Sequence, residues 1–433
     1  MMTRLLAILI AIALPADNAK AQSHDPTPSS EAAAMTPLET RANEVVAVLN
    51  GDDDGEAIFA PVFLNAVPLD QLAALSRQLT DQFGPALGVE DVTPSGETVA
   101  LVTVRMERAI GQLNLSIDPS DDNRINGLRL LEFKPTGDTI DKVTADLKAL
   151  DGKVSAYFGP LYDGKATLSL NPKAQMPLGS AMKLYVLGAL GQEIAQGTRS
   201  WNDVVTLDTK SFPSGQMQNW PKGSPVTLHT LASLMISISD NTATDQLVNL
   251  LGRETIEAYM AQTGHSAPAL NTPWITTREL FLIKGGSSET LEAYSNGPVA
   301  ERAAILETLE ENPATLEQIN AKLAAGPVAI ESVEWFANAA DLAGLFRMMR
   351  RNSDPEALRI MAINPALPPS VTDQWGYVGF KGGSETGVLN MTWLLVDLQG
   401  KDWVLTLSWA NSDKPVETQT LLLIAQRILS LKR

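Results

Sequence analysis

Three short strings carry the residue types that acyl transfer needs, in one order: Ser180-Ala181-Met182-Lys183, Ser239-Asp240-Asn241 and Lys381-Gly382-Gly383. A serine hydroxyl is a weak nucleophile until a neighbouring base takes its proton. A lysine three residues on in a helix shares the serine's face, and set beside apolar Met182 and Leu184 it can lose its proton near neutral pH. Ser239 offers a second hydroxyl to relay a proton to a leaving amine, and the Asn241 amide can hold a substrate amide. Lys381 brings positive charge for a substrate carboxylate, and glycines on its strand let a substrate backbone lie close. Each string alone also reads as ordinary structure: an N-cap serine with a snorkelling lysine, a capping segment between helices, a glycine turn. The third string occurs twice. Lys284-Gly285-Gly286-Ser287 ends a helical run and reads as a C-cap with a basic last turn, whereas Tyr377 to Phe380 and the residues past Thr386 set Lys381 on a strand.

Composition removes the rival chemistries. The chain has no cysteine and three histidines, His24, His229 and His265, with no two at ligand spacing, so a zinc hydrolase is excluded and neither metal nor cofactor is expected. No Gly-x-Ser-x-Gly elbow surrounds Ser180, which argues against a Ser-His-Asp hydrolase. A net charge of −17 repels polyanions, so nucleic acid is not an expected partner.

The strings need elements to hold them. A helix pattern from Ala181 to Leu190 puts Ser180 at a helix N-terminus, where free N–H groups and the dipole favour developing negative charge. Leu228, Leu231, Met235 and Ile238 predict a helix over 228–238, and a second runs through Asp245 and Leu250, leaving Ser239-Asp240-Asn241 on the polar break between them. Strands over 154–158 and 166–170 pair with late strands over 392–397 and 402–409, before a closing helix over 418–431. Strands at both ends of a helical middle predict one antiparallel sheet with a helical subdomain, an α/β class in the sense of an α+β sandwich.

The sequence before that region predicts helices over 38–49, 57–64 and 68–83, then strands over 98–106, 112–117 and 125–133. This is a small α+β, cone-like domain whose curved sheet wraps a helix, with a packed core favoured over a ligand pocket. Asp52-Asp53-Asp54 reads as a solvated turn. At the start, Arg4, the apolar run Leu5–Leu14 and Ala19-Lys20-Ala21 read as a signal peptide cleaved before Gln22, leaving a periplasmic or secreted protein with no membrane association. The expected layout is a signal peptide over 1–21, a tether over 22–36, the small domain over 37–135 and the larger domain over 136–433.

From about residue 150 onward the chain resembles the class A serine β-lactamases and penicillin-binding proteins, whose Ser-x-x-Lys, Ser-Asp-Asn and Lys-Thr-Gly motifs match the three strings. The whole layout is similar to the serine hydrolases of the clavulanate-cluster type, in which a domain like nuclear transport factor 2 or steroid isomerase precedes the class A-like domain. The resemblance implies acylation at Ser180, Lys183 as base, Ser239 as proton bridge, Asn241 on the substrate amide and Lys381 on its carboxylate. It places Gly383 and Ser384 on the substrate-binding strand and makes the N–H groups of Ser180 and Ser384 the oxyanion hole. It implies a small β-lactam or other acyl or peptide substrate and leaves the small domain's partner open. Two departures stand out: Gly382 replaces a small hydroxyl residue, and the Glu-x-x-x-Asn element that activates the deacylating water is missing. Glu279 is the nearest candidate for that base; its other reading is a first-turn carboxylate of the helix over 277–283. The acidic, helical stretch from Gly285 to Ser332 reads as a lid over the site. Three outcomes stay open: a β-lactamase-like hydrolase, a D-Ala-D-Ala peptidase or esterase, and a receptor acylated without turnover.

Overall fold

The computed structural model describes residues 35–311 and 313–431. The signal peptide and all but the last two residues of the tether lie outside them. Two compact units divide at Gly137/Asp138.

In the first unit, α1 (Pro37–Asn50) begins at a reciprocal cap between Thr36 and Glu39, and its cap Gly51 is left-handed. Then come α2 (Pro61–Ala66), α3 (Leu69–Phe83) and the antiparallel meander β1 (Ala86–Pro94), β2 (Val99–Met106), β3 (Ala109–Asp118) and β4 (Arg124–Pro135). Leu113, Leu115 and Ile117 of β3 are buried as their alternation requires. The helix expected over 57–64 is displaced to α2, which starts at the pre-set φ of Pro61. Asp53 and Asp54 accept the N–H groups of Gly55 and Glu56, the geometry of a tight polar turn.

The second unit opens with α4 (Ile140–Ala149), β5 (Lys153–Pro160), β6 (Leu168–Leu170) and β7 (Met176–Pro177). A single 3₁₀ turn, Gly179–Met182, leads into α5 (Lys183–Ala195). Next come β8 (Val204–Thr206), β9 (Pro225–Thr227), α6 (Leu228–Ser237), α7 (Asn241–Leu251), α8 (Arg253–Gln262) and α9 (Thr277–Gly285). Helices α10 (Ser288–Asn296), α11 (Val299–Thr308) and α12 (Leu316–Ala324) precede β10 (Phe336–Ala337), α13 (Ala339–Asn352), α14 (Pro355–Met361) and α15 (Pro369–Thr372). The chain closes with β11 (Tyr377–Glu385), β12 (Val388–Val396), β13 (Asp402–Ala410) and α16 (Thr418–Ser430).

The main sheet runs β11-β12-β13-β5-β6, so early and late segments meet as expected. Strand β13 is buried along its whole length because both faces are covered. Trp393, Leu405 and Leu407 pack with Val143 of α4 and Leu421 and Ile428 of α16, while Leu394 and Val404 join the core of the helical layer. At the centre of that layer α5 is buried continuously from Lys183 to Gly191, which is what an apolar helix without a polar face must do. Among the described residues no helix is long and apolar enough to cross a membrane.

Candidate active site

Ser180 does not begin the α-helix directly, as the apolar run implied. It sits half-buried in the 3₁₀ turn, and Lys183 is the first residue of α5 proper. The tighter turn follows from Gly179, whose φ of 49° breaks the run. Lys183 is fully buried. Its Nζ donates to the Ser239 carbonyl at 2.8 Å and to Asn241 Oδ1 at 2.7 Å, and it lies 3.1 Å from Ser239 Oγ. Burial and the nearby charge of Lys381 hold its pKa well below that of a free lysine, against the pull of Asp245 and Asp240. A neutral amine has two N–H groups, which the carbonyl and the Asn241 amide take. Its lone pair is left for a hydroxyl.

Lys381 closes the other side. Its Nζ lies 3.1 Å from the same Ser239 Oγ and 2.6 Å from the Gly382 carbonyl, and burial brings its pKa down to about 7. The fixed positive charge expected of it is therefore conditional: a bound carboxylate would raise it. One hydroxyl bridges two amines of depressed basicity, an arrangement fit to move a proton.

The loop bearing Ser239 is held from below. Ser239 has φ 59°, an uncommon conformation for a residue with a side chain. Asp240 is wholly buried; its carboxylate caps α7 through the Ala243 N–H at 2.9 Å and accepts the Gln216 and Met217 N–H groups at 2.7 and 2.9 Å. Gly215 must be glycine here, since a Cβ would lie 2.3 Å from that carboxylate. The Asn241 amide is already largely committed: Oδ1 to Lys183 and Nδ2 to the Phe212 carbonyl at 3.1 Å, leaving one N–H for a substrate.

Alternation along β11 sends Lys381, Gly383 and Glu385 to one face. Gly383 packs against the 3₁₀ turn so closely that a Cβ would lie 2.0 Å from the Leu178 carbonyl and 2.4 Å from the Ser180 nitrogen. Its lack of a side chain lets β11 pack directly against the turn that carries Ser180. Ser384 is exposed.

Glu279 is engaged by other partners. One oxygen accepts the Thr276 N–H at 2.7 Å in a reciprocal cap, and both oxygens engage Arg253. A carboxylate committed in this way is poorly suited to activate water. Sequence reasoning missed Asp245, one turn beyond Asn241, which accepts the Thr277 hydroxyl and N–H and the Arg278 N–H within 2.7–2.9 Å and so ties α9 to α7. Its spacing from Asn241 was the available signal. Arg278 in turn holds Glu310, just past α11, which tethers the inserted helices to α9.

The five-stranded antiparallel sheet and the helical layer beside it form a β-lactamase/transpeptidase-like fold. The model of the beta-lactamase enzyme family matches residues 138–428, well over half of the chain, and the chain belongs to that family. Solved structures similar to it include a β-lactamase from Sphaerobacter thermophilus DSM 20745, at 19% identity, TM-score 0.46, covering 67% of this chain and 94% of that one. PBP-A is 16% identical at TM-score 0.46, with 67% and 94% covered. An ancestral class A β-lactamase is 14% identical at TM-score 0.47, with 67% and 97% covered. None of the curated proteins matches.

Proposed function

We propose that this chain is an exported serine hydrolase that β-lactams or related acyl compounds acylate at Ser180, followed by slow hydrolysis. The observation that carries this reading is the shared Ser239 hydroxyl, 3.1 Å from both Lys183 Nζ and Lys381 Nζ, beside the turn that bears Ser180. In this reading Lys183 takes the Ser180 proton as Oγ attacks the carbonyl carbon. The carbonyl oxygen becomes an oxyanion facing the N–H groups of Ser180 and Ser384. As the amide bond breaks, Ser239 gives its hydroxyl proton to the leaving nitrogen and takes in its place the proton Lys183 received from Ser180. Slow release is supported by the engagement of the nearby carboxylates: Asp240 and Asp245 hold backbone N–H groups, and Glu279 holds Arg253. The acyl group then departs only as fast as unassisted water allows. Export is supported by the Leu5–Leu14 run and Ala19-Lys20-Ala21. The first unit's helices and four-stranded meander support a fold like nuclear transport factor 2.

Intact-protein mass spectrometry with penicillin and cephalosporin over time tests the reading. The expected result is a single adduct that persists for many minutes and is absent in Ser180→Ala. An adduct that Ser180→Ala forms equally well would reject it.

A further inference from the structure

The second lysine-glycine string leads to a buried charge cluster that the acyl chemistry leaves unused. Lys284, in the last turn of α9, has a fully buried side chain; its ammonium meets Glu385 of β11 and lies 3.6 Å from Glu334 Oε1. The C-cap reading holds for α9, but the basic last turn faces inward instead of solvent because two carboxylates from distant segments receive it. Glu334, just before β10, is also buried, and its Oε2 accepts the N–H groups of Gly179 and Trp335, each at 3.1 Å. One carboxylate therefore holds the residue before Ser180, and the other follows Ser384 directly. The cluster braces the backbone beside both N–H groups of the oxyanion site.

Two carboxylates and one ammonium leave an excess negative charge in a buried place unless a proton is kept. Burial and the charge of Glu385 push Glu334 up to about 8, with Lys284 opposing, so Glu334 is mostly protonated at neutral pH. Among the described residues, the charged groups facing it are Lys284 from α9 and Glu385 from β11.

We infer that Glu334, set between Lys284 and Glu385, is a positioning residue for acylation: in its protonated form it holds the Gly179–Ser180 backbone without placing negative charge behind the oxyanion. The inference rests on Ser180 being the nucleophile. Loss of the Glu334 proton gives the cluster a net negative charge, which repels the alkoxide developing from the substrate carbonyl. Glu334→Gln keeps the shape and an acceptor for both N–H groups, yet stays neutral at every pH.

The test measures the rate at which a fluorescent penicillin labels full-length wild type and Glu334→Gln between pH 6.5 and 9. Titration of Lys381 against the penicillin carboxylate is common to both proteins and drops out of their ratio. The ratio of variant to wild type is expected to start near one at the acid end of that range and to rise severalfold towards its alkaline end, as loss of the Glu334 proton slows only the wild type. Glu334→Ala, which removes the acceptor, is expected to label more slowly than Glu334→Gln at every pH. A ratio that stays flat, or an alanine variant that matches the glutamine one, overturns the inference while leaving Ser180 in place. Wild type that takes no label at any pH rejects the Ser180 reading and this inference with it.

Discussion

Gly383→Ala isolates the contact between β11 and the nucleophile turn. The added Cβ would lie 2.0 Å from the Leu178 carbonyl oxygen, 2.4 Å from the Ser180 nitrogen and 2.5 Å from the Ala181 nitrogen, all backbone atoms with no rotamer to change. Ordinary contact needs more than an ångström of extra room, so strand and turn must part by about that much. Overpacking of this kind costs about 1–3 kcal/mol of stability. A displacement of about 1 Å at reacting groups costs on the order of 100-fold in rate. The neighbouring Gly382→Ala serves as a control, because its closest obstacle is the tip of the Phe380 ring at 2.8 Å, a side chain that can turn. Rate constants for penicillin labelling, with denaturant melts of each protein, give both quantities. Gly383→Ala is expected to label about 100-fold more slowly, and Gly382→Ala to stay within a few-fold of wild type. A Gly383→Ala protein that labels within threefold of wild type would refute the claim that this packing sets the nucleophile.

Asp240→Ala strands three backbone N–H groups in the interior, and a loss of about 3–5 kcal/mol is expected in urea unfolding, with labelling slowed because the Ser239 loop is released. Glu279→Gln disturbs a helix cap and the Arg253 pair, so it should cost about 1 kcal/mol in thermal melts and change the adduct's lifetime less than twofold; a much longer lifetime would make Glu279 the hydrolytic base after all. Because Lys183 must be unprotonated to act, labelling should fall as pH drops. Since the charge of Lys381 helps to depress Lys183, Lys381→Met should move that acid limb to higher pH in labelling profiles. Burial also leaves Lys381 with fewer bound protons in the folded than in the unfolded state from about pH 7 to its ordinary pKa of 10.5. Its contribution to stability therefore rises with pH across that window, which melts of wild type and Lys381→Met can follow.

Elements whose signal is local were readable in advance. The 3.6 spacing of Leu69, Leu72, Leu75 and Leu79 lies in α3, and the expected polar break falls at Ser239-Asp240 between α6 and α7, with Asn241 as the first residue of α7. Strand β1 was not foreseen: its pairing with β2 has two register shifts and most of its residues are at least partly exposed, so no clean alternation marks it. The geometry of the site was less legible because its decisive contacts are remote. Lys284 and Glu385 stand 101 residues apart, Asn241 spends its amide on Phe212, and Glu279 is taken by Arg253 from the start of α8. Residue types named the chemistry; which atoms remain available for it depended on partners that only folding supplies.

Peptide mapping after brief exposure to penicillin, on wild type and Lys183→Met at neutral pH, tests the central claim most directly. The account predicts the whole penicillin mass on the peptide containing Ser180 in wild type, and no adduct over the same interval in Lys183→Met. An adduct on another residue, or a Lys183→Met protein acylated at the wild-type rate, would contradict it.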